Sequence, residues 1–176
     1  MKTTKEIALI GMYTALLIGA QLVLSAIAGV EIVTVLLLCF CYVFGRLRGV
    51  AVATAFSLLR CLIFGFYPNV VLLYLIYYNV FALIFGGIGK LFDKKTQIKH
   101  LVVVVVGAVV VTACFTLLDD LLMAIMCGFN RKVAVAYFYS SIYVLVPQCV
   151  CALLTVSMFF IPLCNLYNKF NESLVQ

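Results

Sequence analysis

The sequence predicts an all-α, polytopic membrane protein: one membrane domain over 1–176, a bundle of six transmembrane helices with both termini cytoplasmic. Three observations carry this. First, 67% of the 176 residues are hydrophobic and only 10% are charged, with a mean hydropathy of +1.27. A soluble domain is typically about 45–50% apolar and about 25% charged. Second, the apolar residues fall into six runs, at about 7–28, 31–44, 50–65, 70–89, 101–127 and 137–164. Most approach the roughly 20 residues that cross a bilayer as a helix. Third, the basic residues are partitioned. The termini and even-numbered loops hold Lys2, Lys5, Arg46, Arg48, Lys90, Lys94, Lys95, Lys99 and Lys169, while the odd-numbered loops hold only Arg131 and Lys132. Nine against two places both termini in the cytoplasm.

The net charge of +6 is therefore a topology signal and does not point to nucleic acid. The eight cysteines lie in apolar segments; with a single histidine and no CxxC pair, zinc, haem and other metal cofactors are not expected. No phosphate-binding loop is present. If the protein drives uptake against a gradient, the energy comes from another chain.

Taken in order, the first run carries Gly11, Ala15 and Gly19 at spacing four beside Ala8, a smooth ridge that lets another helix approach closely. Its length exceeds the about 7–15 residues of a signal-peptide core, so it reads as an uncleaved helix. Gly29-Val30 makes a turn and Glu31 opens the second run. Gly45-Arg46-Leu47-Arg48-Gly49 reads as a compact basic turn into the third run, which Arg60 interrupts. Pro68 suits a helix start, and the fourth run contains Asn79. Lys90–His100 is a basic loop. The fifth run contains Asp119-Asp120 with apolar residues on both sides. A carboxylate at membrane depth costs at least about 2.5–3.5 kcal/mol, so it needs a partner or a cavity. The sixth run holds Gln148 next to Pro147, a candidate kink.

With this orientation, helical rise places the polar residues within the runs in one layer. Gln21 lies roughly 10 Å below the outer end of its helix, Arg60 roughly 6–9 Å, Asn79 roughly 13 Å, Asp119 and Asp120 roughly 10–13 Å, and Gln148 roughly 12–16 Å. Glu31 and Thr34 sit above them. A channel or proton wire needs polar groups through the full thickness; a single layer predicts a pocket open to the outside. Arg60 with Asp119 or Asp120 could be a structural ion pair, but one arginine does not account for both aspartates and Glu31. Tyr67, Tyr137, Tyr139 and Tyr143 read as interfacial belt residues. Tyr74, Tyr77 and Tyr78 lie deeper, and Tyr78 is a candidate to stack on a ring-shaped substrate.

The chain resembles the substrate-binding S components of energy-coupling-factor (ECF) transporters, which capture micronutrients in bacteria and archaea. The resemblance covers the opening KEIALIGMYTALLIGAQLVL, the stretch VEIVTVLLLCFCYVFGRLRGVAVATAFSLL with its Gly-x-x-x-Gly turn, and the ending YFYSSIYVLVPQCVCALLTVSMFFIPL. It implies a plasma-membrane subunit that binds a vitamin or similar micronutrient near the outer face. It also implies partners, namely a transmembrane coupling subunit and paired ATPases. The family's small-residue ridge on helix one, which meets the coupling subunit, matches Gly11 and Ala15, with glycine in place of the first alanine. The rival readings are a membrane enzyme and a structural subunit. Metal-dependent lipid chemistry needs several carboxylates around Mg²⁺. Beyond Asp119 and Asp120 the acids are only Glu6, Glu31, Asp93 and Glu172.

Overall fold

The computed structural model describes residues 2–24 and 32–175. It is all-helical: α1 (Lys2–Leu24), α2 (Val33–Phe44), α3 (Arg46–Phe64), α4 (Pro68–Leu91), α5 (Ile98–Met126) and α6 (Arg131–Val175). Five of these are long and apolar enough to cross a membrane; α2 is the shorter sixth. This is the multi-pass helical bundle that composition and hydropathy predict. Glu31 and the Gly29-Val30 turn lie outside the described residues.

The short helix is the centre of the fold. All but one of the twelve residues of α2 are buried. At about 18 Å it is too short to span the roughly 30 Å hydrocarbon core by itself, but it packs against α1, α3, α4 and α6. Around it run two antiparallel pairs, α3 with α4 and α5 with α6, joined through α4 and α5. The outer faces of these helices carry exposed apolar side chains, such as Val102, Val106, Val110 and Leu117 on α5, as a lipid-facing surface requires.

The helix boundaries differ from the sequence reading in two places. The basic stretch Arg46–Gly49 is not a turn: only Gly45 separates α2 from α3, and Arg46–Gly49 is the first turn of α3. Gly45 makes this possible with φ +89, a conformation that side chains disfavour. The corner then seats on α4. A Cβ at Gly86 would meet the Arg46 backbone at 2.8 Å, and one at Gly89 would overlap the Tyr42 carbonyl. The helix needs glycine at both places because backbone packs on backbone. Second, α6 runs 45 residues through Pro147 and Pro162, about 68 Å, starting well before and ending well after the apolar run.

Side-chain bonds fasten the end of the bundle that carries the basic residues. Arg48 pairs with Glu6 at 2.6 Å. The Tyr13 hydroxyl donates to the Leu36 carbonyl at 2.7 Å and stands 2.8 Å from that of Tyr167. Tyr42 donates to the Lys95 carbonyl and Thr96 to Asn165, both at 2.8 Å.

Candidate functional site

At the opposite end, α3, α4, α5 and α6 bring together part of the predicted polar layer. Arg60 lies one turn before the end of α3. Its guanidinium carbon is 3.8 Å from the centre of the Tyr74 ring and 5.3 Å from that of Phe64. A guanidinium so placed is held by the ring's quadrupole, an interaction worth up to about 2 kcal/mol when desolvated. Tyr74 is in turn braced by Tyr78 at 5.2 Å and Phe115 at 5.8 Å between ring centres.

The structural ion pair weighed as the alternative for Arg60 is not closed. Among the described residues, Arg48–Glu6 is the one ion pair within salt-bridge distance, and the buried Arg60 Nε has no hydrogen-bond partner. Asp119 is within electrostatic reach of both Arg60 and Asp120, and is half-buried. Asp120 is 3% exposed, and its Oδ2 accepts a short hydrogen bond from the Ser141 hydroxyl on α6. The two adjacent acids thus take different surroundings, as their 100° separation on the helix dictates. Asp120 is tied to α6, and Asp119 is left toward Arg60.

Asp120 also ends a ladder. The buried face of α5 is Val104, Ala108, Thr112, Thr116 and Asp120, a strict spacing of four that keeps one side of a helix. Its last three members are polar, and two of them meet polar groups of α6 seven residues apart: Ser141 bonds Asp120, and Thr116 donates to Gln148 Oε1 at 2.8 Å. One turn before Thr116 the Thr112 hydroxyl is buried with no partner among the described residues. Thr112, Thr116 and Ser141 escaped the sequence reading because hydroxyls within apolar runs are individually unremarked; the spacings of four and seven were the signal.

Asn79 accepts from Thr54 at 3.0 Å and donates to the Leu75 carbonyl at 2.8 Å, so it joins α3 to α4. Gln148 stands seventeen residues into α6, because that helix starts at Arg131 and not near Tyr137. Tyr78 is 5% exposed, set against Phe56 at 5.2 Å; the ring that faces the arginine is Tyr74. Thr34 is buried on α2. The half-buried Gln21, on α1, has its side-chain oxygen buried with no donor among the described residues.

The small-residue ridge of α1 faces away from the bundle. Leu9, Tyr13 and Leu17 are buried, and positions two residues on are about 200° round the helix. Gly11, Ala15 and Gly19 are exposed accordingly, and a Cβ at Gly11 or Gly19 would have no neighbour within 4 Å.

A cavity of about 920 Å³ lies at the other end of the molecule, between the α2–α3 corner and the end of α4. Its walls include Arg46, Arg48, Lys90 and Lys94 with Glu6 and Asp93. The basic residues had been read for topology alone, and the sequence offered no reason to place a concavity among them. Compared with known protein families, curated proteins and solved structures, the chain matches none.

Proposed function

We propose that this protein is the substrate-capture subunit of an ECF-type transporter, binding a micronutrient near the outer face for uptake powered by a separate ATPase module. The observation that carries the reading is Arg60. A guanidinium with a buried, unbonded Nε rests on an aromatic ring, with Asp119 nearby but not closed onto it. Charges at membrane depth are expensive and mark sites when they are not neutralised by each other. Arg60, Tyr74 and Asp119 can present a cation, a ring face and a carboxylate to a polar, ring-bearing solute. The exposed ridge of α1 supports the second half of the reading, a helix face free for a coupling subunit.

Native mass spectrometry of the gently purified protein identifies a co-purifying solute. With that solute as ligand, Arg60→Ala should weaken binding at least tenfold, the scale of one lost charged hydrogen bond of about 1.5–3 kcal/mol. Asn79→Ala should leave affinity within about twofold and lower stability slightly, because an interhelical hydrogen bond averages about 0.6 kcal/mol in a membrane. Arg60→Ala binding like the parent would remove the arginine from the site. Turnover of a lipid into product by the purified chain would favour the enzyme reading instead.

The orientation is tested by a native residue. Cys127 is an exposed free thiol at the end of α5, next to the Asn130 loop. With both termini cytoplasmic, a membrane-impermeant maleimide added to intact cells should label Cys127, and Cys127→Ser should abolish that label. A cysteine placed at Lys95 should stay unlabelled until the cells are opened. The reverse pattern would invert the topology.

A further inference from the structure

The cavity at the basic end is not explained by a solute site at the other. Glu6 is taken up by Arg48, which leaves Arg46, Lys90 and Lys94 facing Asp93, a net surplus of positive charge. The cations are held in place by the fold. The Arg46 side chain lies across Gly87, where a Cβ would collide with its guanidinium. Lys94 follows Asp93 in a turn where both have positive φ, +58 and +48. Two bonds fix that loop: the Lys95 carbonyl accepts from Tyr42, and Thr96 bonds Asn165.

No side chain caps the first turn of α3, and Gly45, Arg46 and Leu47 line the cavity, so its N–H groups add positive potential, which the C-terminal turn of α2, bordering the cavity through Tyr42 and Phe44, offsets in part. The end of α4, which would oppose it, has its carbonyls occupied: Ile88, Gly89 and Lys90 accept from Phe92, Lys94 and Asp93. Leu47, which lines the cavity, is 89% exposed, and Leu91, which follows the lining Lys90 along the chain, is 76% exposed. Cations in a cleft at a bundle's end, flanked by exposed apolar side chains, suit a molecule with a phosphate head and an apolar tail.

We propose that this cavity binds the headgroup of an anionic phospholipid, with Arg46, Lys90 and Lys94 on the phosphate and Leu47 and Leu91 against the chains. Native mass spectrometry of the full-length protein in detergent, with phosphatidylglycerol or phosphatidylcholine added, tests it. The parent should retain phosphatidylglycerol several-fold better. Lys90→Gln and Lys94→Gly should each weaken that retention about fivefold, the scale of one basic residue at an anionic surface. Lys94→Gly is the more informative variant, because glycine accepts the positive φ and the loop keeps its shape. Lys169→Gln, an exposed cation on α6 outside the cleft, should change nothing. Equal retention of the two lipids would overturn the proposal. So would loss in Lys169→Gln matching that in Lys94→Gly, since the effect would then be surface charge at large. Inorganic phosphate at millimolar concentration displacing all bound lipid would make the ligand a soluble phosphate and overturn the lipid assignment.

Discussion

Gly89→Ala should cost this protein more stability than any other single methyl group. The new Cβ would fall on the Tyr42 carbonyl oxygen, with the carbonyl carbon and Cα of Tyr42 each 2.8 Å away. All three atoms are backbone, so no rotamer change relieves the overlap, and α2 and α4 must part along their closest approach. Overpacking a well-filled interior costs about 1–3 kcal/mol and occasionally more. A backbone collision belongs at the upper end, a drop in midpoint of roughly 6–12 °C for a chain of this length. The chain carries its own reporter. Cys39, Cys41 and Cys164 are buried while Cys114 and Cys127 are exposed, so a thiol-reactive dye in a thermal ramp should give a prompt signal and then a cooperative rise. The rise should move down in Gly89→Ala and stay in place in Gly19→Ala, whose Cβ would have no neighbour within 4 Å. Coincident transitions for Gly89→Ala and the parent would mean that the helices do not approach as closely as described.

Under the proposed function, Gly11→Leu or Ala15→Leu should abolish uptake while leaving solute binding near normal. The sequence could not decide whether this ridge served internal packing or an external partner. Both residues are exposed, on the side of α1 opposite the buried Leu9, Tyr13 and Leu17, so a larger side chain there disturbs nothing within the bundle. It does disturb a second helix, because small residues permit backbone-close packing in lipid. The comparison needs three readings of each variant: binding by the purified protein, co-purification of the coupling subunit, and uptake in cells. Uptake retained with leucine at both positions would move the docking face elsewhere. Binding lost in detergent would show that the ridge supports the fold after all.

Much of the fold was legible because lipid makes apolar length a direct signal. The six runs correspond to six helices, and the hydropathy of α5 needs no tertiary information. The ends were harder to read. Arg46 and Arg48 looked like a turn because charge was read as loop, yet a helix in its first turn can point such side chains past the apolar region. α6 overran its apolar stretch because helix geometry continues where hydropathy stops. In the candidate site, Arg60 and Asp119 were legible from cost alone, since a charge inside a span demands an explanation. That Arg60 would rest on Tyr74 was not, because it depends on the rotation of α4 against α3. Nor was the fate of Asn79, whose partner Thr54 is an ordinary residue until the two helices meet.

The burial of α2 bears on how the protein is made. It is the second helix in the chain, yet α6, the sixth, covers part of its surface: Tyr42 meets Phe160 ring to ring at 5.1 Å, and the Cys39 thiol faces the Phe160 carbonyl across 121 positions of sequence. While synthesis proceeds, this short segment has no complete set of neighbours and is poorly matched to the bilayer. Contacts of such long range form late. A chain halted before Phe160 therefore lacks the part of α6 that covers Cys39 and Tyr42 on α2.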